Sequence, residues 1–310
     1  MGSSTGQPVA GTGVATDQPR LVRVAVKSLG EDHSVAAWIF APEGLAPRSV
    51  VVCVPGGTFS KLYYHPDVGG AAGYSMAEHL RANGHLVIAL DNLGVGDSSR
   101  PEDGWALDRK VMADANAQAV AEIANRLRTG ILLPGMAPMS DLPMIGIGHS
   151  MGGLSLITLQ ATRPLFDAVA VLGWTNQNGT QTGHGREITG PYTEVTREAL
   201  RPFFHLPDVP QSVLVADDSH AELIPAGMLA DAGRAGVTSA DAAKIDVPVF
   251  LAFGEVDLCP TPRLEPASYS ASNDITLFRL KGSAHNHNFA ATRGELFHRL
   301  RLWIDNVLSS

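Results

Sequence analysis

Residues Leu21–Leu29 (LVRVAVKSL) alternate apolar and polar side chains, the period of a strand with one face buried. Val35–Phe40 (VAAWIF) follows across a short polar turn, Gly30–Ser34, so the two segments predict an antiparallel hairpin. Six continuous apolar runs come next: Val50–Val54, Leu86–Leu90, Met144–Gly148, Ala168–Leu172, Val247–Phe253 and Ile275–Leu280. Runs without alternation are expected of parallel strands covered on both faces. Helical patterns lie between them. Ala71–Asn83 stops at Gly84, Asp108–Leu127 is Ala-rich and amphipathic, and Ser150–Thr162 ends before Pro164. Gly294–Leu308 sets Leu296, Leu300, Trp303, Ile304 and Val307 on one helical face.

Strand–helix alternation of this kind predicts an α/β fold: an eight-stranded, mostly parallel sheet with helices on both faces. One interval, Thr175 to Asp246, breaks the rhythm. It lacks a buried strand and carries helical pieces around Val195–Phe204, Gln211–Asp217 and Ala221–Ala235. A structureless loop of that length is improbable in a compact domain. The expected organisation is a flexible tail over 1–20, a core built from 21–174 and 247–310, and a mostly helical cap inserted over 175–246.

Composition bounds the function classes. The 310 residues are 45% hydrophobic and 17% charged, an ordinary globular balance. The formal net charge of −8 opposes phosphate backbones, so nucleic acid is not the expected partner. The first twenty residues lack the apolar core of a signal peptide, and no apolar run approaches the roughly 18 residues of a membrane span. Two cysteines far apart, Cys53 and Cys259, make no disulfide framework, and a cytoplasmic location is expected. The expected partner is a small-molecule substrate, with no membrane; a homo-oligomer stays open.

The chemistry gathers at strand ends. Gly148-His149-Ser150-Met151-Gly152, followed by Gly153, leaves an apolar strand and opens a helix, the context of a G-x-S-x-G nucleophile elbow. The turn demands small residues two before and two after the serine, which Gly148 and Gly152 provide. A serine needs a base oriented by a third group, and in the fold that carries this elbow the acid precedes the histidine. Asp257, in Gly254-Glu255-Val256-Asp257 past the VPVFLAF strand, is the candidate acid, with Glu255 as the alternative. Two histidines follow the last strand. His285 is the candidate base, and His287 is then a wall or hydrogen-bonding residue. A metal reading of this pair is weak, because two histidines at i, i+2 without acidic ligands do not make a site. The oxyanion hole is expected from the amide of Met151 and a second amide in Pro55-Gly56-Gly57-Thr58, with Gly57 first and Thr58 second. Phe59, Tyr63, Trp174, His149 and His287 are candidate pocket residues, with Tyr64, Phe203, Phe204 and His205 as further aromatic candidates.

The motifs GHSMGG at 148–153, D-x-x-G-x-G-x-S at 91–98, GEVD at 254–257 and GSAH at 282–285 stand in an order that resembles the α/β-hydrolase superfamily over roughly residues 21–308. The resemblance implies a second strand running antiparallel, a cap over the strand ends and no cofactor. It also implies a serine esterase or lactonase working through Ser150, Asp257 and His285. Many members carry His-Gly where this chain has Pro55-Gly56, which leaves the second oxyanion donor open between Gly57 and Thr58.

Overall fold

The computed structural model describes residues 18–44, 46–139, 142–177 and 188–309. Residues 1–17 of the tail expected over 1–20 and the glycine-rich stretch 178–187 lie outside the described residues, and Arg20, placed in that tail, already opens the first strand. Strands β1 (Arg20–Ser28), β2 (Glu31–Phe40), β3 (Ser49–Val54), β4 (His85–Leu90), β5 (Met144–His149) and β6 (Ala168–Leu172) join β9 (Val249–Gly254) and β10 (Ile275–Leu280) in one sheet. Its order is β1-β2-β4-β3-β5-β6-β9-β10, eight strands in all. β2 runs antiparallel to both β1 and β4, and the remaining pairings are parallel.

The apolar runs become the central strands for a simple reason. Every residue of β3, β4, β6 and β9 is buried, so no face is left for polar side chains. β1 alternates exposed and buried positions over most of its length, as the sheet edge permits. Helices α1 (Met76–Ala82) and α8 (Arg293–Val307) pack together, and α2 (Arg109–Thr129) packs on α3 (Met151–Thr162). Leu296, Phe297, Leu300, Trp303 and Ile304 form the buried face of α8, while Val307 is only half-buried. Truncating such a buried leucine to alanine costs about 2–5 kcal/mol.

Three elements start four or more residues from where the sequence pattern puts them. The hairpin turn is confined to Leu29–Gly30, and β2 starts at Glu31 within the segment expected to be turn. Helix α1 starts at Met76 and not near residue 71, because Gly69, Gly70 and Gly73 hold left-handed backbone before it and the Ser75 side chain accepts from Glu78 N–H at 2.9 Å. Residues 221–225 are not helical. Between β6 and β9 lie β7 (Tyr192–Thr193), α4 (Arg197–Phe204), α5 (Gln211–Ser219), β8 (Ile224–Pro225), α6 (Ala226–Ala232) and α7 (Ser239–Ala242). β7 and β8 pair antiparallel, and Pro225 in extended backbone keeps α6 from reaching back to Ala221.

The loops after β3 and β4 are tied together beneath the strand ends. Lys61, buried, donates its Nζ to Asp91 at 2.5 Å and to Asp97 at 2.7 Å, and its backbone N–H donates to the second Asp91 oxygen at 2.7 Å. The Asp91 carboxylate also accepts from Asp97 N–H at 2.8 Å. Removing one partner of such a buried pair costs about 3–5 kcal/mol. The D-x-x-G-x-G-x-S turn is therefore a brace for the glycine loop at Pro55–Thr58.

Candidate active site

Ser150 stands between β5 and α3 at φ 53° and ψ −123°, one of three described non-glycine residues with positive φ. Such backbone costs about 1–3 kcal/mol and persists only where the surroundings enforce it. The flanking glycines make it sterically allowed. A side chain at Gly148 would meet the Gly152 carbonyl at 2.5 Å, and one at Gly152 would collide with the carbonyls of Val54 and Pro55. The elbow is anchored by Ser150 N–H donating to Leu172 O at 2.8 Å.

Three side chains from separate loops then meet. His285 Nδ1 lies 2.7 Å from Asp257 Oδ1, and His285 Nε2 lies 2.9 Å from Ser150 Oγ. A carboxylate only accepts, so Nδ1 carries the hydrogen, Nε2 is left as an acceptor, and the serine hydroxyl donates to it. This polarity is the one that lets an imidazole take the hydroxyl proton. The Asp257 carboxylate accepts four hydrogen bonds: from His285, from His287 Nε2–H at 2.9 Å, and from Gly254 and Leu258 N–H at 2.8 Å each. Burial alone would raise the pKa of Asp257. The attraction of His285 and the hydrogen bonds from both histidines outweigh it and hold the carboxyl far below the ordinary range. Glu255 points elsewhere: it is exposed and accepts from Gly282 N–H at 2.8 Å.

Gly57 and Met151 sit side by side. A Cβ on Gly57 would collide with Met151 Sδ, so a side chain there requires the methionine side chain or the loop to move. Among the described residues no protein acceptor takes the Gly57 or Thr58 amide, and the Met151 amide opens α3, where first-turn amides have no partner within the helix. Gly56, Gly57, Thr58, Asn92, Val95, Met112, Met151, Ile224 and Met228 border a small cavity of about 20 Å³, room for one water-sized group. A larger groove of about 540 Å³, bordered by Phe40, Glu43, Arg81 and Met136 among others, contains no candidate site residue.

The expected pocket residues occupy other places. Phe59 and Tyr63 are buried against each other at 4.9 Å, Tyr63 stacks on His149 at 4.4 Å, and Trp174 donates its indole N–H to Thr238 Oγ1 at 2.9 Å. None of Phe59, Tyr63, Trp174, His149 and His287 borders the small cavity. His149 donates to the backbone of His285, and His287 donates to Asp257, so both hold the candidate site residues in place. Phe203 and Phe204 stack on the His285 ring at 4.5 and 5.8 Å, while His205 turns away to donate to Asp217 at 2.8 Å. Cavity residues Val95, Met112, Ile224 and Met228 escaped the sequence reading, because apolar side chains in turns and helices carry no signal beyond core packing. Both cysteines are buried free thiols, and burial pushes Cys259 up to about 11, which leaves it a poor rival to Ser150 as nucleophile.

A sequence model of the alpha/beta hydrolase family matches residues 51–297. No curated protein matches the chain. Among solved structures, a soluble variant of the monoglyceride lipase of Saccharomyces cerevisiae aligns at 14% identity and TM-score 0.70, over 95% of this chain and 97% of its own. An esterase from Thermogutta terrifontis aligns at 16% identity and TM-score 0.64, over 92% and 99%. A thioesterase domain from the curacin biosynthetic pathway aligns at 14% identity and TM-score 0.57, over 91% and 99%. At these identities the likeness is one of fold. With the family match spanning most of its length, the chain belongs to the alpha/beta hydrolase family.

Proposed function

We propose that this protein is a serine hydrolase that cleaves a small to mid-sized, moderately hydrophobic carboxylic ester or lactone through an acyl-enzyme on Ser150. The observation that carries the reading is the Asp257–His285–Ser150 relay, with bonds of 2.7 and 2.9 Å and the acceptor nitrogen facing the hydroxyl. The names of the fold neighbours, a monoglyceride lipase and an esterase, agree with ester chemistry.

In this reading His285 takes the Ser150 proton as Oγ attacks the carbonyl carbon. The Gly57 and Met151 amides hold the developing oxyanion, with Thr58 as the second choice for the loop donor. Asp257 fixes the imidazole tautomer and stabilises the imidazolium. His285 then protonates the leaving group, and water activated by the same imidazole releases the acid. The leaving group must lie on the His285 side, within reach of the imidazole that protonates it.

The described parts of 175–246, residues 175–177 and 188–246, act as the cap. Phe203 and Phe204 cover His285, Ser150 is only 8% exposed, and Ile224, Pro225 and Met228 border the small cavity beside Gly57. Such closure favours small substrates over polymers. Two unpaired buried thiols suit a reducing cytoplasm.

The same triad could serve thioester cleavage, carbon–carbon bond hydrolysis or acyl transfer; the thioesterase-domain neighbour belongs with this alternative. A non-catalytic receptor has no need of an aligned relay. Product analysis with short-chain nitrophenyl esters, lactones, acyl thioesters and vinylogous diketones separates these outcomes. The proposal expects ester or lactone turnover to lead the panel, and turnover confined to thioesters or diketones overturns it.

A further inference from the structure

Helix α4 touches the candidate site at both ends. At its first turn, Arg197 is buried at 6% exposure, its guanidinium 4.1 Å from the centre of the Phe59 ring and 5.4 Å from that of Phe204. One guanidinium nitrogen donates to Thr58 Oγ1 and the other to the Thr58 carbonyl at 2.8 Å. Asp217 lies 3.5 Å from Arg197 Nε and accepts from His205 Nε2–H through its other oxygen at 2.8 Å. At the last turn of α4, the carbonyls of Phe203 and Phe204 accept the His285 and Asn286 N–H groups at 3.2 and 3.1 Å.

Thr58 is the residue that needs holding. It is β-branched and sits at φ 67°, a region unfavourable for such side chains. Its carbonyl accepts a second bond from Glu222 N–H at 3.0 Å, also from the inserted segment. Burying a guanidinium is costly, and here both of its terminal nitrogens are directed to one residue beside Gly57.

We infer that Arg197 is a positioning residue for the oxyanion loop. It locks Thr58, and through it the Gly57 amide, in the conformation that meets the Met151 amide. Because the same helix also holds the His285 backbone, α4 works as a strut that sets the oxyanion loop and the histidine loop at a fixed separation. The donors are thereby competent only with the inserted segment in place. This inference rests on the serine hydrolase reading.

The test is steady-state kinetics on a short-chain nitrophenyl ester, together with affinity for a trifluoromethyl ketone whose tetrahedral adduct uses the same amides. Thermal unfolding is followed alongside. Arg197→Met keeps the apolar slot between Phe59 and Phe204 filled. It is expected to lower kcat by about 10²-fold, the scale of a misplaced or missing oxyanion donor, with KM within about 3-fold. Ketone affinity should fall in parallel with kcat/KM, and added guanidinium ion should restore part of the rate to a smaller Arg197→Ala variant. Should Arg197→Met fail to fold because it strands Asp217, the double variant Arg197→Met/Asp217→Asn removes both charges and must show the same loss. A folded variant with kcat within about 3-fold of wild type, a loss carried by KM alone, or unchanged ketone affinity overturns the inference and leaves the hydrolase reading standing. A wild-type protein that neither turns over esters nor binds the ketone overturns both.

Discussion

His149 donates its Nε2–H to the backbone carbonyl of His285 over 2.8 Å, so the residue just before the candidate nucleophile holds the loop that carries the candidate base. The carbonyl can only accept, which fixes the hydrogen on Nε2. Burial pushes His149 well below the ordinary histidine range, and the neighbouring His285 and His287 push it further. It is a neutral, permanent donor. His149→Phe keeps the stack on Tyr63 and deletes the bond, leaving a buried carbonyl unpaired. Denaturant unfolding should show a loss of about 1–3 kcal/mol, and kcat should fall about 10-fold as the imidazole loses its fixed height. A stability loss with unchanged kcat would mean that His149 only packs.

The Asp257 carboxyl gives a pH signature with a definite sign. Burial raises its pKa, but His285 and His287 together pull it far below the unfolded value. A depressed carboxylate contributes stability that is complete above the unfolded pKa of about 4 and is lost as pH falls below it. The stability gap between wild type and Asp257→Asn should therefore be widest above about pH 5 and should narrow towards pH 2. Asp257 stays ionised across the working range, so the acid limb of kcat/KM is not its own. In Asp257→Asn the imidazolium loses its counter-charge, and kcat should fall about 10³–10⁴-fold. A folded variant with kcat within about 10-fold of wild type contradicts this assignment.

Gly57 is defined by what lies against it. A methyl group there would run into Met151 Sδ, while the backbone N–H would remain. Gly57→Ala should lower kcat by about 10–10²-fold by pushing the loop away from α3. The double variant Gly57→Ala/Met151→Ala should recover most of that loss, since the obstructing sulfur is gone. Steady-state kinetics on the four members of this cycle would decide it, and additive losses would show that the two residues do not act through contact.

Much of this architecture was legible in the residue pattern. The unbroken apolar run gave β6 to the residue, and β6 is covered on both faces; β10 also matched to the residue, although it is an edge strand with most of its residues partly buried or exposed. The elbow was legible because its glycine spacing is fixed by the tight turn itself, as the approach of Gly148 to the Gly152 carbonyl shows; that Gly152 also faces the carbonyls of Val54 and Pro55 was not legible. Asp257 and His285 followed from chain order, and the structure brings both to Ser150, with Glu255 set apart on the surface. Non-local features were not legible. The pairing of Tyr192–Thr193 with Ile224–Pro225 joins residues more than thirty apart, with no periodicity to announce it. Arg197 belongs to no sequence motif, and only the docked fold reveals its two bonds to Thr58. The packing of the aromatic candidates was not legible either: Phe59 lies against Tyr63, and Tyr63 stacks on His149. His287 illustrates the same limit: sequence left it between a wall and a bonding role, and the fold sets it on the second oxygen of Asp257.

Everything above turns on one oxygen. Incubation of the folded protein with a fluorophosphonate, followed by peptide mass mapping, asks directly whether Ser150 is an activated nucleophile. The expected result is a single adduct on Ser150, formed in step with loss of ester turnover, with Ser150→Ala unlabelled, inactive and as stable as wild type or nearly so. Ester turnover that survives in folded Ser150→Ala, or a wild-type protein that leaves Ser150 unlabelled, would contradict the account.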